Sequence, residues 1–434
     1  MNRKQIQLGL IHVAVAMTLV PINSTLNRVM IKELAISATL VAVLASLPYF
    51  FSPIQVLIGS FADRHPVLGF RRTPYILLGL ALCVLGVVLS PLAAFWLAEN
   101  FWSGLWFGLL AFSAWGFGFN FATVSYLSLA SELSAERERG RTVAIMWFMM
   151  IISIIFTSVG LSRLVDPFSA QTLTRSFWIV GLVALLLGVA GLVKLEGRTS
   201  ESGAAIGERY SWKAMMNAIL DNRQATLFFV YLAVLLTALL GQDILLEPFG
   251  GEAFGMSVRE TTRITSIWGT CTLVALLIAG GLERRASKRT LANWGGWGAM
   301  AGFLLIALSG LLTHSGVFYA GVVLLGFGTG LSTVSNLSLM LDMTQAGKVG
   351  LFVGAWGMSN AVSRLTGSVL SGAIRDSLTR VLANPVLAYV AVFGVLAVLL
   401  FLSLLILRRV DVAAFRHAGS GLSLAERAAL ANEA

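Results

Sequence analysis

Charged side chains and cysteines are scarce in this chain of 434 residues. Only 12% of its residues are Asp, Glu, Lys or Arg, against roughly 25% in an ordinary soluble domain. Apolar residues make up 57% of the chain, and its formal net charge is +10. A soluble enzyme could not cover its surface with so few polar groups, and a disordered chain would be less apolar. The composition therefore predicts a protein that crosses the membrane many times.

Several kinds of reactive site are also missing from the sequence. The two cysteines, Cys83 and Cys271, both lie in apolar runs, which excludes a disulfide framework and a cysteine-rich metal site. No GxxxxGK[ST] phosphate-binding loop, HExxH or CxxC motif occurs. We therefore predict no enzyme activity and no resident metal.

Apolar runs of membrane-spanning length recur along the whole chain. A bilayer core about 30 Å thick needs about 20 apolar residues per helix. We predict an all-α membrane protein of twelve spans, numbered 1 to 12 in chain order. They lie near residues 6–26, 36–60, 73–97, 104–132, 142–162, 176–195, 225–247, 261–281, 291–313, 315–341, 350–372 and 385–407.

The distribution of Lys and Arg among the predicted loops is strongly uneven. The segments on the side of the two termini hold 22 of the 31 basic residues, and the opposite loops hold 8. By the positive-inside rule both termini are expected in the cytoplasm. The excess of Lys and Arg over Asp and Glu thus reflects the orientation of the protein in a lipid bilayer, and no nucleic-acid partner is expected.

The two halves of the chain repeat each other. Residues 115–133 and 325–343 are identical at nine of nineteen positions at an offset of 210. Spans 1 and 7 align more weakly, at an offset of 219. Two parallel six-helix repeats are the layout of the major facilitator superfamily. We predict pseudo-symmetric bundles at 1–195 and 225–407, a cytoplasmic linker at 196–224 with an amphipathic helix, and a cytoplasmic tail at 408–434.

A motif in the loop between spans 2 and 3 resembles the cytoplasmic signature of that superfamily. A glycine lets two helices approach closely, and an acidic residue can cap or pair with a neighbouring helix end. Ordinary positive-inside anchoring explains its adjacent arginines equally well. The motif residues are Gly59, Asp63, Arg64, Gly69, Arg71 and Arg72.

Two carboxylates stand at the outer end of predicted span 7. Asp243 and Glu247 are four residues apart, so they would share one helix face. Candidate partners are Arg28, Lys32 and Arg364. The offset of 219 aligns Arg28 with Glu247 and Asn23 with Gln242, which suggests that Arg28 and Glu247 face each other as an outer gate. Snorkelling interface charges are the alternative. The candidate gate residues are Arg28, Lys32, Gln242, Asp243 and Glu247.

A few polar side chains inside the spans could bind a ligand. His12 could ligate the magnesium of a chlorin ring or carry a proton, or it could simply bond to a neighbouring helix. Arg364 could bind a ligand carboxylate or carbonyl, or pair with Asp243 or Glu247. Asn120, Tyr126 and Asn336 either contact a ligand in a central cavity or join helices. These candidates are His12, Asn120, Tyr126, Asn336 and Arg364.

Four tracts resemble the PucC family, which includes LhaA-like proteins and is a bacteriochlorophyll delivery branch of the superfamily. They are LVPINSTLNRVMIKEL at 19–34, LPYFFSPIQVLIGSFADRHPVLGFRRTPYILLG at 47–79, GQDILLEPFGGEAFGM at 241–256 and TVSNLSLMLDM at 333–343. Together they lie in both halves, and the resemblance extends to about residue 410.

The resemblance implies a role in photosynthesis. It implies that the protein helps to assemble light-harvesting complexes, with (bacterio)chlorophyll as cargo and antenna polypeptides as partners. The expected location is the bacterial inner or intracytoplasmic photosynthetic membrane. A transporter moving a small solute by alternating access is the main alternative, and a scaffold that binds antenna helices without pigment is a third.

Overall fold

The described residues form an almost entirely helical structure. The computed structural model describes residues 2–134, 138–198, 219–220, 222–282, 285–343 and 349–411. Lipid offers no hydrogen bonds to a backbone, so a spanning segment must satisfy its own N–H and C=O groups. An apolar chain of this kind therefore folds into helices.

Ten helices in the described part are long and apolar enough to cross a membrane. They correspond to predicted spans 1, 3 to 10 and 12. Their bounds are Arg3–Glu33, Thr73–Glu99, Phe101–Leu133, Arg141–Leu164, Ala170–Leu192, Arg223–Gly241, Val258–Leu282, Lys288–Leu312, Ser315–Asp342 and Pro385–Leu407.

Predicted spans 2 and 11 are helical too, but each departs from a plain apolar rod. Span 2 is divided into helices Ala38–Ala45, Leu47–Phe50 and Gln55–Arg64 with a short 3-10 turn at Ser52–Ile54. Pro48 and Pro53 explain these breaks, because proline has no N–H to continue a helix. Span 11 is the single 34-residue helix Val349–Leu382, which carries buried or half-buried polar residues such as Arg364 and Asp376.

Span 1 changes its geometry halfway along. It begins as the α-helix Arg3–Met17 and continues as two π-helical segments, Pro21–Leu26 and Val29–Glu33. A π-helix places residues five apart next to each other, and such segments are frequent at functional sites. The side chains of Arg28 and Glu33 are therefore neighbours, which matters for the site described below.

The two halves pack their helices in the same way. Spans 3 and 4 lie against each other as spans 9 and 10 do, while spans 5 and 8 and spans 2 and 11 meet between the halves. The all-α, two-half fold predicted from the sequence is thus confirmed. Within the predicted linker and tail, residues 199–218, 221 and 412–434 lie outside the described residues, and most of the predicted amphipathic helix lies among them.

Glycine permits the closest of these approaches. A Cβ atom on Gly118 would lie 2.4 Å from the backbone nitrogen of Cys83. One on Gly328, the repeat-related residue in span 10, would lie 2.3 Å from the nitrogen of Ala299. Both distances are far shorter than atoms can approach, so each backbone contact requires glycine.

Gly118→Ala is therefore expected to destabilise the protein. The added methyl group meets backbone rather than a movable side chain, so two helices must shift, at a cost of about 1–3 kcal/mol. Gly160→Ala is the matched control, because a Cβ there meets nothing within 4 Å. Thermal unfolding in detergent should show a lower midpoint for Gly118→Ala alone. Equal midpoints for both variants would contradict the close packing.

Candidate functional site

A carboxylate from span 11 joins the halves at the distal end of the bundle, which we define as the end opposite the amino terminus. Asp376 accepts hydrogen bonds from the backbone nitrogens of Ala38 (3.1 Å) and Thr39 (2.8 Å). It also accepts from the hydroxyls of Ser37 (2.8 Å) and Thr39 (2.7 Å). The side chain thus caps the first helix of span 2. The sequence analysis missed this cap, since nothing local in the sequence links residues so far apart.

Two basic side chains of span 1 also reach across to the second half. Arg28 is 2% exposed, forms an ion pair with Glu33 and donates from Nη2 to the carbonyl of Met256 at 2.8 Å. Lys32 donates to the carbonyl of Gly251. The predicted contact between Arg28 and Glu247 is absent among the described residues, because the π-helical turn aligns Arg28 with Glu33 instead.

Glu247 lies at the same interface with other partners. Its side chain is buried, at 3% exposure, and Oε1 accepts from the hydroxyls of Ser24 and Thr265, each at 2.5 Å. Oε2 is buried without a hydrogen-bond partner in the described chain. Beside it, the hydroxyls of Thr25 and Thr262 lie 3.0 Å apart. Glu247 thus bridges the halves through hydroxyl groups.

Asp243 makes a separate contact, because helix does not continue between it and Glu247. Span 7 ends at Gly241, a turn occupies 242–245, and a new helix begins at Leu246. The shared helix face predicted for the two carboxylates is therefore wrong. Asp243 forms an ion pair with Arg364 and accepts from Gln242 Nε2 at 2.8 Å.

Arg364 also contacts the first half of the protein. Its guanidinium carbon lies 5.1 Å from the ring centroid of Tyr49 in span 2, within the range of a cation–π interaction. The structure thus shows the pairing of Arg364 with Asp243 that was one of its two predicted roles. Tyr49 was not among the predicted site residues.

His12 lies deep in the first half among aromatic rings. Its ring centroid is 5.1 Å from that of Tyr126 in span 4 and 6.2 Å from that of Trp147 in span 5. The histidine is 6% exposed, and its Nδ1 atom has no hydrogen-bond partner in the described chain. A buried ring nitrogen without a partner is unusual and is available to a ligand. The structure therefore brings two of the predicted ligand residues, His12 and Tyr126, together.

The two predicted asparagines hold helices together. Asn120 donates to the carbonyls of Pro48 (2.9 Å) and Gly116 (2.7 Å) and accepts from Gln55 at 2.6 Å. It therefore satisfies polar groups where span 2 is broken. Asn336 accepts from the hydroxyl of Tyr231 at 2.8 Å. These contacts match the alternative in which the asparagines join helices.

The loop motif forms a charged cluster within the first half. Arg72 pairs with Asp63 (2.5 Å) and Glu132 (2.7 Å). Glu196, assigned from sequence to the linker, accepts from the backbone nitrogens of Arg71, Arg72 and Thr73 at 2.7–3.0 Å. It thus caps the start of span 3, a role that the sequence analysis did not find.

The glycines and remaining arginine of this motif have plainer positions. A Cβ on Gly59 would lie 3.3 Å from Val124, so spans 2 and 4 approach closely there, as predicted. Gly69 has a φ of +79°, a left-handed conformation that favours glycine. Arg64 is the last residue of its helix.

Among the described residues, no group of three His, Cys, Asp or Glu could hold a metal ion.

Comparison with known families identifies the chain. A family model described as PUCC protein matches residues 25–415. The chain belongs to the PUCC family. Protein PucC of Cereibacter sphaeroides is 32% identical over 424 residues, covering 93% of this chain and 91% of that protein. A relative in Rhodobacter capsulatus, named bacteriochlorophyll synthase 44.5 kDa chain, is 26% identical over 91% of this chain and 92% of its own.

Solved structures share the fold of this PUCC family member. A point mutant of the nucleoside transporter NupG superposes with a TM-score of 0.72 over 94% of this chain and 99% of its own, at 13% sequence identity. Identity this low shows the fold alone. Family and fold together indicate a multi-pass membrane protein.

Proposed function

We propose that this protein assists the assembly of photosynthetic light-harvesting complexes by binding or delivering (bacterio)chlorophyll. The supporting observation is a match to PucC proteins along nearly the whole chain. The name of the Rhodobacter capsulatus relative adds a connection to bacteriochlorophyll. In this proposal the partners are antenna polypeptides. The protein lies in the bacterial inner or intracytoplasmic photosynthetic membrane with both termini in the cytoplasm.

The pigment site that we propose is centred on His12. A neutral imidazole nitrogen can ligate the magnesium of a chlorin, and the Nδ1 atom of His12 has no competing partner among the described residues. Tyr126 and Trp147 supply aromatic faces beside it. Because His12 is covered, pigment would enter by displacing Trp147, which is 50% exposed. His12 would then hold the magnesium while the rings pack against the macrocycle.

Replacing His12 should therefore reduce the bound pigment. We expect His12→Leu, purified in mild detergent from a pigment-making host, to lose (bacterio)chlorophyll absorbance by more than about tenfold. Mutation of a residue that only hydrogen-bonds to a metal ligand already lowers metal affinity by about 10–100-fold, and His12 would be the ligand itself. His314→Leu is the matched control, because His314 lies at the surface and makes only a 3.4 Å bond to its own helix. A colourless wild-type preparation, or equal pigment in both variants, would contradict the proposal.

Transport of a small solute by alternating access is the second candidate. The fold shared with NupG and the ion pair between Asp243 and Arg364 favour it. This function predicts solute counterflow in proteoliposomes, with Asp243 essential. The assembly function predicts instead that deletion of the gene removes antenna absorbance from whole cells.

A further inference from the structure

We propose that Glu247 is a proton-binding site and that its protonated form holds the two halves together at the distal end. This inference does not depend on the pigment site, because it uses different residues in a different part of the bundle. The ligand is a proton exchanged with water on the distal side. No electron is transferred and no other bond forms or breaks.

Glu247 forms no ion pair with any of the described residues. No Lys, Arg or His nitrogen among the described residues lies within 4.0 Å of its oxygens. Two hydroxyl groups donate hydrogen bonds to Oε1, and Oε2 is buried with no hydrogen-bond partner in the part of the chain that the structure describes. An ionised carboxylate in such a place is costly, whereas the neutral acid is tolerated.

The nearest charges on span 1 and on the turn before Glu247 are bound to other groups. Arg28 is bound to Glu33 and to a backbone carbonyl, and Lys32 is bound to another carbonyl. Asp243 is paired with Arg364. None of these groups forms an ion pair with Glu247, although the Nε atom of Arg28 is buried without a hydrogen-bond partner among the described residues.

The charged groups on the surrounding helices either have other partners or are exposed. On span 8, Glu260 accepts from the backbone and hydroxyl of Ser257, Arg259 pairs with Asp166 and Arg263 is exposed. Glu252, on the helix of Glu247, lies 3.8 Å from Arg375 of span 11. Two tyrosines also lie nearby: Tyr389 of span 12, whose ring centroid is 5.6 Å from that of Phe249 on this helix, and Tyr319 of span 10, whose hydroxyl lies 4.0 Å from the sulfur of Met256 just beyond it.

The hydrogen bonds of Glu247 couple its proton to the movement of the halves. Ser24 belongs to the first half and Thr265 to the second, yet both donate to the same oxygen of Glu247. Separation at the distal end removes the Ser24 hydroxyl, whose donated hydrogen bond favours the ionised form. It also admits water, which solvates the ionised carboxylate far better than one hydroxyl group can. A proton that binds the closed arrangement more tightly must in turn favour closure. We therefore infer that low pH favours the closed distal end and high pH favours its opening.

Infrared spectroscopy tests the proton directly. At about pH 7, an ordinary Glu with a pKa of about 4.3 is ionised, so a C=O band of a protonated carboxylic acid should mark Glu247. We expect this band in wild type, its shift on labelling Glu with carbon-13, and its loss in Glu247→Gln. Glu260→Gln, which replaces an exposed distal carboxylate, should retain it. The wild-type spectrum tests the proposal even if Glu247→Gln fails to fold, because absence of the C=O band from the wild-type spectrum overturns it.

A distance measurement tests the coupling to movement. Spin labels at Glu99→Cys and Ser315→Cys, with both native cysteines replaced by Ala, report the separation of the halves at the distal end in lipid nanodiscs. When the pH is raised from about 5 to about 9, the distance between the two labels should lengthen in wild type and in Glu260→Gln. An ordinary Glu, with a pKa of about 4.3, is largely ionised throughout this range. Glu247→Gln should remain short throughout. A pH-independent wild type, or an unchanged response in Glu247→Gln, overturns the proposal.

Discussion

Replacing Asp376 with alanine is expected to open the distal end of the protein. Asp376 accepts four hydrogen bonds from the start of span 2, all of them across the two halves. Loss of a helix cap costs about 0.5–2 kcal/mol, and a hydrogen bond to a charged group is worth about 1.5–3 kcal/mol. Two conformations of one protein commonly differ by only a few kcal/mol. The variant should therefore shift much of the population to an open distal end.

The measurement is again the distance between spin labels at Glu99→Cys and Ser315→Cys. Arg259→Ala is the matched control: it breaks the ion pair between Arg259 and Asp166, which also joins the halves but is exposed on both sides. Exposed pairs contribute about 0–1 kcal/mol, so this variant should resemble wild type. Asp376→Asn keeps one acceptor oxygen, so its distance between the labels should lie between those of Asp376→Ala and wild type. A closed distal end in Asp376→Ala would show that the cap is dispensable.

The second large effect is expected from Arg364→Met. The change removes the ion-pair partner of Asp243 and the cation beside Tyr49, leaving a carboxylate in a largely buried place without a counter-ion. Breaking a buried pair in this way costs about 3–5 kcal/mol. The apparent melting temperature in detergent should therefore fall sharply, or the variant should fail to give a monodisperse protein.

The double variant Arg364→Met with Asp243→Asn separates structure from ligand binding. Removal of both charges is often nearly neutral for stability, so the double variant should recover most of the melting temperature. A stable double variant with wild-type antenna absorbance in cells and wild-type solute counterflow would mean that the pair is structural. A stable double variant that loses either activity would mean that Arg364 or Asp243 contacts the ligand. If Arg364→Met alone melts like wild type, the pair is not stabilising.

The outline of the fold was predictable because it rests on local chemistry. Hydrophobic runs of bilayer length, an internal repeat and the placement of basic residues follow from what lipid demands of each segment. The repeated tract around Gly118 and Gly328 was visible in the sequence, and the structure shows why: each glycine lies where two backbones touch. The tracts at 19–34 and 241–256, chosen for their family resemblance, meet at the distal interface.

The individual contacts of the site were less predictable. Arg28 was expected beside Glu247 from the alignment of spans 1 and 7, but that alignment assumes the same helical period in both. Two π-helical segments in span 1 and a turn after Gly241 destroy this equivalence. The helix caps by Asp376 and Glu196 had no signal at all, since each carboxylate is remote in sequence from the backbone groups that it binds.

The sequence by itself determined that this chain is a bundle of membrane helices in two related halves, because the cost of an unpaired backbone group in lipid leaves few other folds. Only the tertiary structure decided which buried polar groups meet. Within a bundle, a small change in helical period rotates a side chain to another neighbour. Partners are then selected by three-dimensional packing: Arg28 with Glu33, Asp243 with Arg364, and Glu247 with two hydroxyl groups and, among the described residues, no ion-pair partner.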